Sequence, residues 1–335
     1  MSDNRPAEGC SAASATGQGV DHGRAADQPA AADPGADHPV SASPAPRDGD
    51  ADNGEAPNRG ARNGATDLIV QTSETPVDSP QHHPVQIVGA GPGAPDLLTL
   101  RAARALEQAE VLVWTDSLVN PQIAALAPEG CERIRTGNLT LEELLEVVIS
   151  RARQGRRVVR LHDGDPCLYG ALQEQICRLA DAGLAVEVVP GLSAYQATAA
   201  ALGQELTIPG LVQTIVLSRA GGRTGVPERE SLQRLASLGA SLCLYLSARH
   251  VEEVQEELLH HYPPETPVAI GYRVSWPDQW LSQVTLAEMA ETSRARQLIR
   301  TTLYIVSPAL GALGEARSRL YSPTHAHLFR SGAGQ

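Results

Sequence analysis

Three short segments gather the residue types that hold ligands. Each follows a run of Val, Ile or Leu: Val88-Gly-Ala-Gly-Pro-Gly-Ala-Pro95, His162-Asp-Gly-Asp-Pro166 and Pro190-Gly-Leu-Ser193. In the first, Gly89-x-Gly91-x-x-Ala94 satisfies a loose dinucleotide pattern, and Asp116 follows where a ribose-binding acid belongs. Against this, Pro95 and the stretch to Thr99 separate the glycines from the next helix. A pyrophosphate would then miss the helix N-terminus. A dinucleotide site, a site for another nucleotide-like ligand and a plain turn all stay open here. The second segment offers one imidazole and two carboxylates, but residues of one loop rarely converge on one ion without further ligands. Alternatively, Gly164 admits close backbone approach, and Asp165 accepts from a ligand or caps the following helix. In the third segment Ser193 can cap a helix or hold a ligand. Arg219 and Arg223 flank Gly221-Gly222, while Arg249 and Arg273 lie at or near later strands. These arginines are either ordinary surface charge or a clamp for a substrate with several carboxylates.

The elements that must position these loops alternate. The pattern predicts strands at 85–88, 111–114, 158–161 and 186–189, interleaved with helices at 100–107, 141–154, 171–182 and 194–202. Thr99 caps the first helix, and Thr140 with Glu143 forms a capping box for the second. Continuous Val/Ile/Leu runs separated by helices indicate a mostly parallel sheet covered on both faces, with ligands beyond the carboxyl ends of the strands. The rhythm resets around 203–210. A second α/β unit is predicted, with strands at 214–218, 242–246, 268–274, 280–284 and 302–306. Its helices are predicted at 230–238, 251–261 and 286–295, with a hairpin through Trp276-Pro-Asp-Gln.

Composition bounds the function. Of 335 residues, the first 84 contain no aromatic residue and carry a net charge of −8 out of −12. Such a segment cannot offset a backbone ordering cost of roughly 1–2 kcal/mol per residue, and residues 1–84 are expected to be a disordered tail. All 27 basic residues are Arg, which excludes a Lys Schiff base and a Walker-type phosphate Lys. The mildly acidic remainder argues against nucleic-acid binding. No apolar run is long enough for a membrane span, and no signal or transit peptide is recognisable, so a cytoplasmic protein is expected. The five cysteines show no pairing or metal-like spacing.

Taken in order, these loops resemble those of the tetrapyrrole methylases. The run from Val88 to Leu100 is similar to the family's opening motif. Asp116-Ser-Leu-Val119 is similar to the end of its second strand, Gly164-Asp-Pro166 with Tyr169-Gly170 to its third motif, and Val189-Pro-Gly-Leu-Ser193 to its fourth. The similarity spans about 85–310. Within the family, Leu161–Gly170, Glu174-Gln175, Gln213-Thr214 with the 219–223 loop, and Tyr272–Asp278 resemble members that act at C11 of precorrin-4 or its cobalt counterpart. Members acting on uroporphyrinogen usually show Gly-Gly-Asp-Pro followed by Phe, where this chain has Asp163-Gly-Asp-Pro-Cys167.

The resemblance implies two α/β domains, 85–209 and 210–310, with a cofactor cleft between them and a C-terminal extension over 311–335. It also implies S-adenosylmethionine as methyl donor, a small tetrapyrrole substrate and a homodimer; from the residues themselves no metal is expected. Carried over by position, cofactor contacts are expected at Gly91, Pro92, Gly93, Pro95, Asp163, Gly164, Asp165, Leu168, Tyr169, Ser193, Ala194, Leu246, Ala269 and Thr302. Arg219, Arg223 and Arg273 are expected to hold substrate carboxylates. Asp116, and less directly Glu174, are candidates to orient the macrocycle or accept a proton. The rival readings are an NAD- or FAD-binding oxidoreductase, a family member acting at another position, and a non-catalytic binder.

Overall fold

The computed structural model describes residues 83–222 and 225–312, with Ser322, His325 and Ala326. All fall in one compact unit, Glu74–Gln335. Nearly all of the expected tail, most of the 311–335 extension and Arg223 lie outside the described residues.

Five parallel strands form the first sheet: β1 (Val85–Gly89), β2 (Val111–Trp114), β3 (Glu132–Arg135), β4 (Val158–His162) and β5 (Val186–Val189). They lie in the order β3-β2-β4-β1-β5. Side chains alternate across a strand, so sequence neighbours enter different cores. Val88, Leu112 and Leu161 pack with α1 (Leu100–Glu107) and α2 (Pro121–Ala124). Val85, Ile87, Val111 and Val113 pack on the other face with α3 (Leu141–Arg153) and α4 (Leu172–Asp181). Burial on both faces explains the unbroken apolar runs. The predicted caps are present: Thr99 Oγ1 accepts from Ala102 N, and Thr140 and Glu143 bond reciprocally. Strand β3 was not anticipated, because Glu132-Arg-Ile-Arg135 is an edge strand that alternates between half-buried and exposed.

Helix α5 (Ala194–Leu202) leads into the second sheet. That sheet comprises β6 (Ile215–Arg219), β7 (Ser241–Tyr245), β8 (Pro267–Tyr272), β9 (Trp280–Thr285) and β10 (Thr302–Val306). The order is β6-β7-β10-β8-β9, with only β6 and β7 parallel. Helix α5 covers one face through Ala194, Tyr195, Ala199 and Leu202, against Cys243, Ala269, Leu303 and Ile305. The other face packs on α6 (Leu232–Ala236), α7 (Val251–Leu259) and α8 (Met289–Ala295). The three helices are shorter than their sequence pattern, and Leu286–Glu288 forms a 3-10 turn before α8. The predicted strand through Val274 ends at Tyr272, and Arg273 turns out of it with φ +45°. Cys131 and Cys243 are buried and Cys167 and Cys177 exposed, all as free thiols.

Candidate functional site

The ends of β4, β1 and β5 lie side by side and meet the second sheet at a cleft of about 820 Å³, in the size range of small-molecule sites. Its floor is backbone crossing backbone. Gly91 and Gly164 exchange hydrogen bonds (3.1 and 3.0 Å), and Ala90 N donates to His162 O (2.7 Å). A Cβ on Gly89 would lie 2.6 Å from Gly191 N, and one on Gly191 would fall on the Gly164 carbonyl oxygen. The loops can close over one another only because Gly89 and Gly191 carry no side chain at the crossing. Asp165 ties them: Oδ1 accepts from Cys167 N (2.7 Å) and Oδ2 from Gly191 N (3.0 Å).

The second sheet supplies the opposite wall through Tyr245, Leu246, Ala248 and Arg249 at the end of β7, Gly271, Arg273 and Val274 at the end of β8, and residues 299–303 entering β10. Bulky residues occupy left-handed backbone here: Leu246 (φ +53°), Arg273 (+45°) and Thr301 (+53°). With Tyr169 (+57°) and Ala171 (+48°), they make five of the seven described non-glycine residues of positive φ, and all five line the cleft. Such backbone costs on the order of 1–3 kcal/mol per residue and persists where the surroundings over-determine it.

Specific bonds join the two walls. Trp276 Nε1 donates to Pro92 O (3.0 Å), and Ser275 Oγ accepts from Ala94 N (3.0 Å). Ser193 Oγ pairs with the Tyr245 hydroxyl (2.8 Å), which also accepts from Tyr195 N (3.3 Å). The Ser193 hydroxyl therefore meets Tyr245, while Gln196 Oε1 accepts from Ser193 N (2.8 Å). Burial pushes the Tyr245 phenol up to about 12, so it stays protonated at neutral pH.

Of the residues singled out from sequence, Gly91, Pro92, Asp163, Gly164, Asp165, Leu168, Tyr169, Ser193, Ala194, Leu246, Thr302 and Arg273 meet along this cleft. Others do not line it. A Cβ on Gly93 would fall on the Trp276 ring, and Gly93 O accepts from Asn120 Nδ2 (2.8 Å). Pro95 opens a 3-10 turn. Ala269 is fully buried in the contact between β8 and α5. Arg219 closes its own loop by donating to Ala220 O, Gly221 O and Gly225 O. Glu174 is exposed on the first turn of α4 and faces a separate surface groove. Asp116 stands between the cleft-lining Thr115 and Leu118 but is not itself lining. Its Oδ1 accepts from Gly137 N (3.1 Å). Among the described residues, no three His, Cys, Asp or Glu side chains cluster as metal ligands.

The cleft also contains residues that sequence reasoning missed. Arg160 on β4 is 6% exposed, and Gln175 on α4 is 2% exposed. Gln175 Nε2 donates to Gly170 O (2.8 Å), and its buried Oε1 has no protein partner. Thr115 and Thr136 pair their hydroxyls (3.2 Å) beside Arg160, and Arg300 lies in the far wall. A charge inside Val158-Val-Arg-Leu-His162, a strand covered on both faces, was the available signal for Arg160.

Residues 84–290 match the family model described as tetrapyrrole (corrin/porphyrin) methylases. The precorrin-4 C(11)-methyltransferase of Pseudomonas aeruginosa is 43% identical over 248 residues, covering 74% of this chain and 99% of the relative. The cobalt-precorrin-4 C(11)-methyltransferase of Methanocaldococcus jannaschii is 39% identical over 247 residues, covering 73% and 95%. A solved cobalt-precorrin-4 methyltransferase, described as a cobalamin biosynthetic enzyme, superposes with TM-score 0.67 at 38% identity, covering 70% of this chain and 98% of that one. A uroporphyrin-III C-methyltransferase of Thermus thermophilus complexed with S-adenosylhomocysteine gives TM-score 0.60 at 29% identity, covering 69% and 100%.

Proposed function

The chain belongs to the tetrapyrrole (corrin/porphyrin) methylases, and from that premise we propose that it methylates C11 of precorrin-4 or cobalt-precorrin-4, with S-adenosylmethionine as donor, in cobalamin biosynthesis. The observation that carries this reading is the single cleft between the glycine floor and the strained wall, where most of the cofactor positions expected from the resemblance converge. We place the activity in the cytoplasm and in a homodimer, the second as the resemblance implies; sedimentation of the purified protein tests the dimer.

The lining suits such a donor. Leu168, Ala194, Leu246 and Leu303 offer apolar surface for a nucleoside, and Asp163 and Asp165 place carboxylates beside it. The unpartnered Oε1 of Gln175 is a buried acceptor that lacks a donor, and leaving one unmet costs about 1–3 kcal/mol. When bound, the donor supplies a methyl group on a sulfonium, a leaving group that requires no strongly activated nucleophile. The task of the chain is therefore positioning, and near-attack geometry can remove on the order of 7–11 kcal/mol of barrier. The glycine crossing and the bonds from Trp276 and Ser275 keep the two walls in register. Transfer adds a unit of positive charge to the macrocycle, so a proton must leave it. Asp116 is our candidate to receive that proton, because its Oδ2 carries no protein hydrogen bond among the described residues and its neighbours line the cleft.

Calorimetric titration with S-adenosylhomocysteine and, separately, NAD tests the donor. Binding of the former with no response to the latter is expected, followed by precorrin-4 turnover. NAD binding alone would restore the oxidoreductase reading. Asp116→Asn is expected to lower kcat with KM little changed, and an unchanged kcat removes that role.

A further inference from the structure

Arg160 is the only buried Arg, Asp or Glu among the described residues. It sits mid-strand on β4, and its guanidinium has five N–H donors. The protein offers three acceptors: Leu161 O (2.8 Å) and Val113 O (3.4 Å) to Nη1, and Thr115 Oγ1 (3.2 Å) to Nη2. Nε is buried without any partner, and no described carboxylate forms an ion pair with this side chain. Burial draws the guanidinium down to about 10, with Asp163 partly opposing that, so it remains a cation at neutral pH.

A buried charge without a counter-ion is strongly unfavourable unless a partner arrives. All three acceptors are uncharged oxygens, and Nη2, which bonds only Thr115 Oγ1, keeps a second N–H for a carboxylate that enters the cleft. Around it the cleft lining continues as Thr115, Thr136 and Leu118, a polar recess beside an apolar shelf. By contrast, Arg273 in the opposite wall is already engaged by Asp278 (2.8 Å) and by the Trp276 ring (3.9 Å).

We propose that Arg160, with the paired hydroxyls of Thr115 and Thr136, forms a carboxylate-binding subsite that receives one acidic side chain of the tetrapyrrole substrate. This inference rests on the substrate class of the preceding section, but not on which carbon is methylated. The subsite would hold the macrocycle by its periphery over the β2–β4 end of the cleft, leaving the β1, β4 and β5 loops to the methyl donor.

The test compares wild type, Arg160→Gln and Arg160→Lys as full chains in two binding assays. Fluorescence titration with uroporphyrin III, a tetrapyrrole bearing acetate and propionate carboxylates, reads the acidic-substrate site without turnover. Calorimetry with S-adenosylhomocysteine reads the donor site. Arg160→Gln is expected to weaken uroporphyrin binding on the order of ten- to a hundredfold, with partial recovery in Arg160→Lys and the homocysteine Kd within about twofold of wild type. An unchanged uroporphyrin Kd, or an equal loss in both assays, overturns the subsite. Should Arg160→Gln fail to fold, Thr115→Val removes the hydroxyl that fixes Nη2. It should weaken uroporphyrin binding about threefold and spare the homocysteine; no change there also overturns the proposal. A wild type that binds uroporphyrin but leaves precorrin-4 unmethylated refutes the preceding reading and leaves this one standing.

Discussion

The two walls of the cleft solve the same problem in opposite ways. On the side of the first sheet, strand ends crowd together and the chain removes side chains: Gly89 and Gly191 let their loops touch each other and the Gly164 carbonyl. On the side of the second sheet there is room, and there, as at Tyr169 and Ala171 after β4, the chain keeps side chains in backbone that disfavours them. Leu246 remains 68% exposed at φ +53°, a position where glycine would be the relaxed choice. The first wall is thus shaped by packing, the second by what must project into the cleft. Retained strain beside absent side chains marks the cleft more sharply than either feature alone.

Substitutions with opposite signs test this contrast. Gly191→Ala should be the most damaging, because its Cβ has nowhere to go but the Gly164 carbonyl oxygen. A loss of about 3 kcal/mol or more is expected, read as a fall in the urea midpoint or as insoluble protein. A wild-type midpoint would mean that the loops are free to part. Ser275→Ala cuts one of the bonds between the walls, removing the acceptor for Ala94 N. About 1 kcal/mol of stability should go, and S-adenosylhomocysteine should bind less tightly if the walls must stay in register. Leu246→Gly should raise stability slightly, by about 0.5 kcal/mol, since relief of left-handed strain outweighs the added freedom of the unfolded chain. Homocysteine affinity should fall at the same time; a variant that gained stability with affinity intact would show that the side chain projects to no purpose. The smallest effect is expected away from the cleft. Hydrogen bonds from Arg151, and then Arg156, hold the Glu132 carboxyl below its usual range. A depressed folded-state pKa contributes stability above the unfolded carboxylate range and loses it as pH falls through the folded value. Glu132→Gln should therefore flatten the acid limb of a Tm–pH profile while leaving homocysteine binding unchanged.

Much of the scaffold was readable residue by residue. The bounds of α1, β2, β5, α5 and β10 follow from apolar runs closed by caps and turns, and the Thr140–Glu143 box is visible in the sequence because it is local. Strand β3 was not readable, since four residues of which three are charged become a strand only beside β2. Ala269 and Gly271 lie on the same face of β8 against α5, but only the second also reaches the cleft. Arg219 and Arg273 looked alike as arginines near strand ends, yet one bonds its own loop and the other lines the cleft. Arg160 was legible as a charge in a covered strand, but its lack of a counter-ion is a property of everything packed around it.

The sequence by itself determined where strands stop, which loops are built from Gly, Pro and Asp, and the general chemistry those loops permit, because caps, turns and apolar periodicity act over a few residues. The tertiary structure decided which loops meet. Only the order β4-β1-β5 brings Gly164, Gly89 and Gly191 into contact, and only the docking of the second sheet sets Trp276 on Gly93 and Tyr245 on Ser193. Strand order and docking depend on burying whole faces at once, and no local pattern along the chain records which distant face will be the partner.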